Sequence, residues 1–279
     1  MRFIAGLVLL GSLWPLPAAA QQRPLVTEDP ETIGAGLILV EAGFDYLDGI
    51  FYPVSGLEGD LLRLPTVGTS LGVGSIAEIQ VDWSPYQRLN VTDRAIAPLS
   101  GLVDFTGDST TDIEDLVIAT KVRFLSEAPG RPALGVRLAT KLPLAGNDSG
   151  LGLETTDVLA SFLVGKTVQS IRIVGNVGLG IIGDPTAGNR QGEVLLYGAS
   201  IARALRQGFE VVGEINGWWN LEDPEPPGSE DRSQLRLGSR YTHGSVRVDG
   251  GLIIGLADRE PGFGFTAGAT WVFKGFTVP

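Results

Sequence analysis

From residue 263 to residue 273 every second side chain is apolar: Phe263, Phe265, Ala267, Ala269, Trp271 and Phe273. Between them stand Gly264, Thr266, Gly268, Thr270 and Val272, small and mostly able to face water. Strand side chains alternate faces, so this stretch makes one greasy face and one mildly polar face. Its length matches the ~9–11 residues that a tilted strand needs to cross a bilayer. An amphipathic strand of a soluble sandwich would alternate in the same way, so the rest of the chain must decide.

The same pattern recurs. Twelve candidate strands cover roughly 33–46, 59–71, 76–84, 113–126, 132–142, 155–166, 169–182, 192–204, 208–220, 233–242, 245–257 and 263–273. In the fourth, Leu116, Ile118, Thr120, Val122 and Phe124 share a face opposite Lys121 and Arg123. The fifth sets Leu134, Val136, Leu138 and Leu142 against Arg137 and Lys141. The seventh, tenth and eleventh oppose apolar stripes to Arg172 and Asn176, to Gln234, Arg236 and Arg240, and to Arg247 and Asp249. The second and eighth alternate poorly.

The connections carry an independent pattern. After odd strands the gaps are mostly long and turn-rich (47–58, 85–112, 143–154, 183–191, 221–232 and, shorter, 258–262). After even strands they are short (72–75, 127–131, 167–168, 205–207 and 243–244). Long loops on one rim and short turns on the other is the habit of outer-membrane barrels, with the long rim outside the cell. A Greek-key sandwich has no reason to sort its loops this way. The expected fold is therefore all-β, a transmembrane antiparallel up-and-down barrel with short periplasmic turns and long extracellular loops.

Magnitude fixes the register. A Lys or Arg facing lipid at mid-membrane costs ~2–4 kcal/mol, and a one-residue slip would turn Lys121, Arg123, Arg137 and Lys141 outward. These side chains point inward. With strands ~4.8 Å apart and tilted near ~40°, twelve enclose a backbone diameter of roughly 24 Å and leave an opening on the order of 10 Å.

Composition narrows the function. Residues 1–20 give Arg2, a mostly apolar run from Phe3 to Leu16, then Pro17 and three alanines: a secretory signal peptide. Its removal takes one basic residue and no acidic one, leaving 20 basic against 32 acidic residues and a net charge of −12. That balance opposes nucleic-acid binding. There is no cysteine, hence no thiolate chemistry. Glycine is 39 of 279 residues, about twice the usual ~7%, which disfavours helices and suits bent, crowded strands. The expected organisation is a signal peptide over 1–20, a periplasmic N-terminal segment over 21–32, a barrel over 33–273 and a tail over 274–279.

Chemistry is sparse. The one histidine, His243, falls in the short turn 243–244, away from any nucleophile, so no catalytic residue is assigned. A clustered His/Cys metal site is excluded by count, and no cofactor is expected. The letters of Gly178-Leu179-Gly180-Ile181-Ile182-Gly183 match a dinucleotide fingerprint, but Asp184-Pro185 opens a loop where a helix is required. Gly68-Thr69-Ser70-Leu71-Gly72 resembles a nucleophile elbow with no partner histidine. Two acidic groups, Asp104, Asp108, Asp112, Glu114 and Asp115, and Glu222, Asp223, Glu225, Glu230 and Asp231, read as solvated loop tips or as carboxylates for a divalent cation.

The expected pore lining is Glu41, Asp45, Glu78, Asp82, Glu210 and Glu214 on one sector. Lys121, Arg123, Arg137, Lys141, Arg172, Arg236, Arg240, Arg247 and Asp249 make the other. Opposed sectors would orient dipolar solutes, and basic walls would favour anions until Arg236 and Arg240 were neutralised. The other reading is that these charges pair internally and plug the lumen. The inward Leu159, Leu163, Val174 and Trp218 hint at an apolar pocket.

Two resemblances agree. Residues 266–273 resemble the C-terminal targeting signal of bacterial outer-membrane barrels, with Thr266, Gly268, Trp271 and Phe273 in its places, although 274–279 follow it. It implies the barrel-assembly machinery as a partner. Arg23-Pro24-Leu25-Val26-Thr27-Glu28-Asp29 resembles the opening of the MetA-pathway phenol-degradation family of outer-membrane transporters. Gly107-Asp108 leading into 115–124, and 132–144 followed by Thr156-Asp157-Val158, are similar to it too. That resemblance implies an outer-membrane channel, embedded in outer-membrane lipids, passing a small-molecule solute such as an aromatic or other hydrophobic compound, and the chain is expected to act as a monomer. A closed structural or adhesion barrel and a soluble periplasmic β-sandwich binding protein are the alternatives.

Overall fold

In a computed structural model of the chain, residues 23–188 and 190–278 are described; the expected signal peptide lies outside the described residues. The strand segments are β1 (Leu37–Tyr52), β2 (Leu57–Gly72), β3 (Ala77–Trp83), β4 (Gln87–Arg94), β5 (Ser109–Asp112), β6 (Leu116–Leu125) and β7 (Ala133–Leu142). They continue as β8 (Asp157–Val168), β9 (Ile171–Gly183), β10 (Gln191–Arg206), β11 (Phe209–Asn220), β12 (Arg232–His243), β13 (Val246–Gly255) and β14 (Phe263–Lys274).

All belong to one antiparallel sheet, and β1 pairs with both β14 and β2, so the sheet closes on itself. β2 pairs with β3 at one end and β4 at the other, and β6 and β5 continue the next stave in the same way. The fourteen segments thus make a closed barrel of twelve staves. A single closed sheet rules out the two-layered sandwich.

The barrel is inverted relative to a soluble protein. Leu138 and Leu179, on the outer face, are 60% and 59% exposed, while Lys121 and Glu78 inside are 0% exposed. Exposed Phe124, Phe162, Val177, Leu237, Val248, Leu252 and Trp271 continue the outer belt around the staves. So large a contiguous apolar surface needs lipid to cover it.

Two expected loops turn out to be partly strand. β1 runs on to Tyr52 and β2 begins at Leu57, leaving only 53–56 where 47–58 was expected open. Within 85–112, β4 and β5 pair as a hairpin. Their outward Arg88, Asn90 and Thr92 are polar because this part stands beyond the greasy belt, which hid the strand from a hydropathy reading. Inward from these extensions, Leu47, Ile50, Leu57, Leu61 and Leu89 bury against Leu151 and Ile253.

The third and fourth staves break at the same level because Pro85 has no N–H for the ladder. The Ser84 hydroxyl stands 2.9 Å from the carbonyls of Pro65 and Tyr86, and the Glu114 amide donates to the Ser84 carbonyl at 2.8 Å. Before β1, where a strand from 33 was expected, Gly34 and Gly36 adopt positive φ (98° and 73°) and turn the chain into the wall. At Gly36 a Cβ would sit 2.3 Å from the Phe276 carbonyl, which receives the turn from the tail side.

Candidate solute passage

Residues 23–33 do not hang below the barrel as a lead-in; they circle its inner wall. The Ile33 amide donates to Glu78 on β3 at 2.7 Å, and Glu31 pairs with Arg123 on β6. Asp29 takes both arms of Arg172 on β9, at 2.6 and 2.8 Å. Glu28 meets Lys121 at 3.3 Å and Arg137 at 2.9 Å, while its backbone exchanges hydrogen bonds with the Asn176 amide side chain. The Val26 and Thr27 amides each donate to the Glu214 carboxylate of β11 at 2.8 Å. Leu25 packs on Ala202 and Val212. Arg23 ends the circuit, donating to Thr66 and Thr266 at 2.9 and 2.8 Å and lying 3.5 Å from Asp249.

Small residues make the groove for this segment. A Cβ on Gly43 or Gly268 would lie 2.3 or 2.6 Å from the Arg23 guanidinium, and one on Gly165 would lie 3.0 Å from the Pro30 ring. Gly198 would press Thr27 at 3.0 Å and Gly238 the Pro24 ring at 2.8 Å. Part of the high glycine content is therefore a track on the lumen face.

The remaining expected lining residues also find partners. Lys121 is 3.0 Å from Glu78, Lys141 2.8 Å from Asp157, Arg240 2.7 Å from Glu210 and Arg247 3.8 Å from the same carboxylate. Arg236 is 3.8 Å from Glu214, and Asp45 is 3.1 Å from Arg63. Thr270 donates to Glu41 at 3.0 Å, and Asp82 lies 3.7 Å from Arg137. The opposed charge sectors are stitched together, partly through Glu28, Asp29 and Glu31, instead of facing across open water. Of the four targeting-signal positions, Thr266 and Gly268 face Arg23 inside, while the Trp271 and Phe273 rings meet at a tilt, 4.4 Å between centroids.

Between the circuit and the long loops lies a chamber of about 640 Å³. Val26–Glu28 form its floor, and around it the apolar Leu47, Ile50 and Phe51 of β1, Leu159 of β8 and Trp218 of β11 alternate with Arg63 of β2, Arg137 and Lys141 of β7 and Arg232 and Arg236 of β12. Of the four expected apolar inward residues, Leu159 and Trp218 line it, whereas Leu163 and Val174 are buried. The Trp218 indole donates to the Glu230 carbonyl at 2.9 Å, which ties the 221–231 loop to the chamber wall.

Outside the spanning strands, burial pushes the Glu127 carboxyl up, but bonds from Thr167, Lys166 and Arg172 outweigh it and hold the group below the usual range. In the acidic loop, slight burial and then Asp231 and Glu230 push Glu225 up. Among the described residues no three Asp, Glu or His side chains converge as metal ligands would. Asp112 and Asp115 instead accept amide bonds from Gly146 and from Leu144 and Ala145. His243 stands exposed at the short-turn rim.

Comparison by sequence finds no matching protein family and no matching curated protein. Among solved structures the chain is similar to the COG4313 outer membrane channel of Pseudomonas putida F1, at 14% identity and a TM-score of 0.57 over 88% of this chain and 98% of that one. It is also similar to the NanC porin, at 8% identity and a TM-score of 0.50 over 84% and 98% of the two chains. At these identities the likeness concerns the fold, that of outer-membrane barrels.

Residues 23–33 escaped a reading of the sequence alone because their partners lie far along the chain, Arg23 against Thr266 for instance. The available signal was the inward glycines Gly43, Gly165, Gly198, Gly238 and Gly268, set beside Pro24, Pro30 and the run of charges between them.

Proposed function

We propose that the chain is an outer-membrane channel that passes small solutes by diffusion and does no chemistry on them, akin to the MetA-pathway-like transporters that its opening residues resemble. It works as a monomer in the outer membrane, its long loops outside the cell and its short turns in the periplasm. The assembly machinery reads Thr266, Gly268, Trp271 and Phe273. The observation that carries this reading is the 640 Å³ chamber inside the barrel, floored by Val26–Glu28. Apolar and aromatic sectors alternating with basic ones fit a small aromatic molecule with one polar group, held until the floor yields. The wall charges keep the lumen wet and the floor seated.

A closed structural barrel is the rival reading, supported by the ion pairs that seat residues 23–33. Planar-bilayer recording of the refolded chain separates the two. Discrete current steps, reduced by phenol but not by glucose added on the long-loop side, are expected of the channel. A folded barrel that passes no current speaks for the closed one.

A further inference from the structure

Among the described residues, the two ends of the circuit made by residues 23–33 approach each other on β2 and β3. Arg23 is tied to Thr66 on β2 and Thr266 on β14, and Ile33 to Glu78 on β3, so the two anchors stand on neighbouring staves. A second cavity of about 280 Å³ lies here and shares Arg63, Asp82 and Trp83 with the large chamber. A third, of about 20 Å³, continues from it and shares Glu41, Gly68 and Asp82.

We infer that these cavities form a residual aqueous path past the N-terminal segment, and that Glu41 and Asp82, on either side of Gly68 at its neck, make the path selective for small cations. The inference rests on the channel reading and deepens it.

Size comes first. A water needs roughly 10–15 Å³ of such volume, so a 20 Å³ neck takes one or two in file. An ion in the neck sheds most of its hydration, and the groups around it must replace that hydration. Gly68 sets the width: a Cβ built there would lie 3.0 Å from Asp82 Oδ1 and 3.4 Å from Glu41 Oε2. The two carboxylates therefore approach the same point from two staves.

Charge comes second. The basic groups near the path are turned to other carboxylates: Arg63 to Asp45 and Glu114, Arg236 to Glu214, Arg23 to Asp249. Glu41 is met by a hydroxyl, that of Thr270. Asp82 stands 3.7 Å from Arg137, whose closer bond at 2.9 Å goes to Glu28, and its side chain is 52% exposed. The lining of the neck holds two carboxyl side chains and no basic one, although the wall as a whole is rich in arginine. Anion preference set by Arg236 and Arg240, the expectation from sequence, gives way because both are paired with glutamates.

The test is single-channel recording of the full mature chain across a KCl gradient. A reversal potential on the cation side is expected, with the K⁺ preference lost in the isosteric double variant Glu41→Gln, Asp82→Asn. Gly68→Ala should lower conductance severalfold while the chain still shows the gel shift of a folded barrel. Current without cation preference, or a preference unchanged in the double variant, overturns the neck and leaves the channel reading standing. A folded chain that passes no current overturns both.

Discussion

Deleting residues 23–33, so that residue 22 joins residue 34, should raise single-channel conductance severalfold. The segment lines the inner wall of a barrel whose bare opening is on the order of 10 Å. With it gone, only side chains narrow the path, and the passage widens from the file of one or two waters in the 20 Å³ neck to a broad column. The wall should survive, because barrel closure uses the β1–β14 and β1–β2 ladders, which begin beyond the deletion. Lys121, Arg123, Arg137 and Arg172 would lose segment carboxylates and gain water, so cation preference should fall as conductance rises. The chain contains no cysteine, so the converse experiment is clean. A disulfide between Thr27→Cys and Gly198→Cys, whose side chains would be in contact, should pin the segment and hold conductance at its low level. Equal conductance with and without residues 23–33 would mean that the segment does not obstruct the lumen.

Replacing Lys121 by Met should be the most damaging single change inside the wall. Its ammonium is wholly buried between Glu28 at 3.3 Å and Glu78 at 3.0 Å. Removing one partner from a buried ion pair costs about 3–5 kcal/mol, since the other charge is left without compensation. Here Glu78 loses that compensation while Glu28 keeps Arg137 at 2.9 Å, and Glu28 belongs to the segment, so the cost falls on the seating of residues 23–33 as well as on the wall. Urea unfolding in lipid vesicles, followed by tryptophan fluorescence, should show a lower midpoint, and recordings should show noisier, larger currents. Adding Glu78→Gln to Lys121→Met should recover part of the loss. A midpoint equal to that of the native chain would show that the triad is solvated and holds nothing.

What could be read in the sequence was what the bilayer enforces. On β6, β7, β9, β12 and β13 the outer face must be apolar and every Arg or Lys must turn inward, so alternation alone gave strand, face and register. β4 and β5 lie beyond the lipid, where Arg88, Asn90 and Thr92 can face water, and the pattern that marks a membrane strand is absent there. The break at Pro85 hid them further. Inside, alternation showed that Lys121 and Arg172 face the lumen but not what they meet, because Glu28 and Asp29 sit 93 and 143 residues away. The same distance separates reading glycines as bent strand from seeing Gly165, Gly198 and Gly268 as a track.

The claim beneath all of this is that one face of each stave touches acyl chains while the other faces enclosed water. Spin labels on single cysteines placed one at a time from 171 to 183, along β9 in lipid vesicles, test it most directly. Collision with oxygen, which concentrates in lipid, should peak at positions 173, 177, 179 and 181, and collision with a water-soluble nickel chelate at 172 and 176, out of phase with period two. Collision profiles without that alternation, or a chain that stays folded in plain buffer and ignores vesicles, would contradict it.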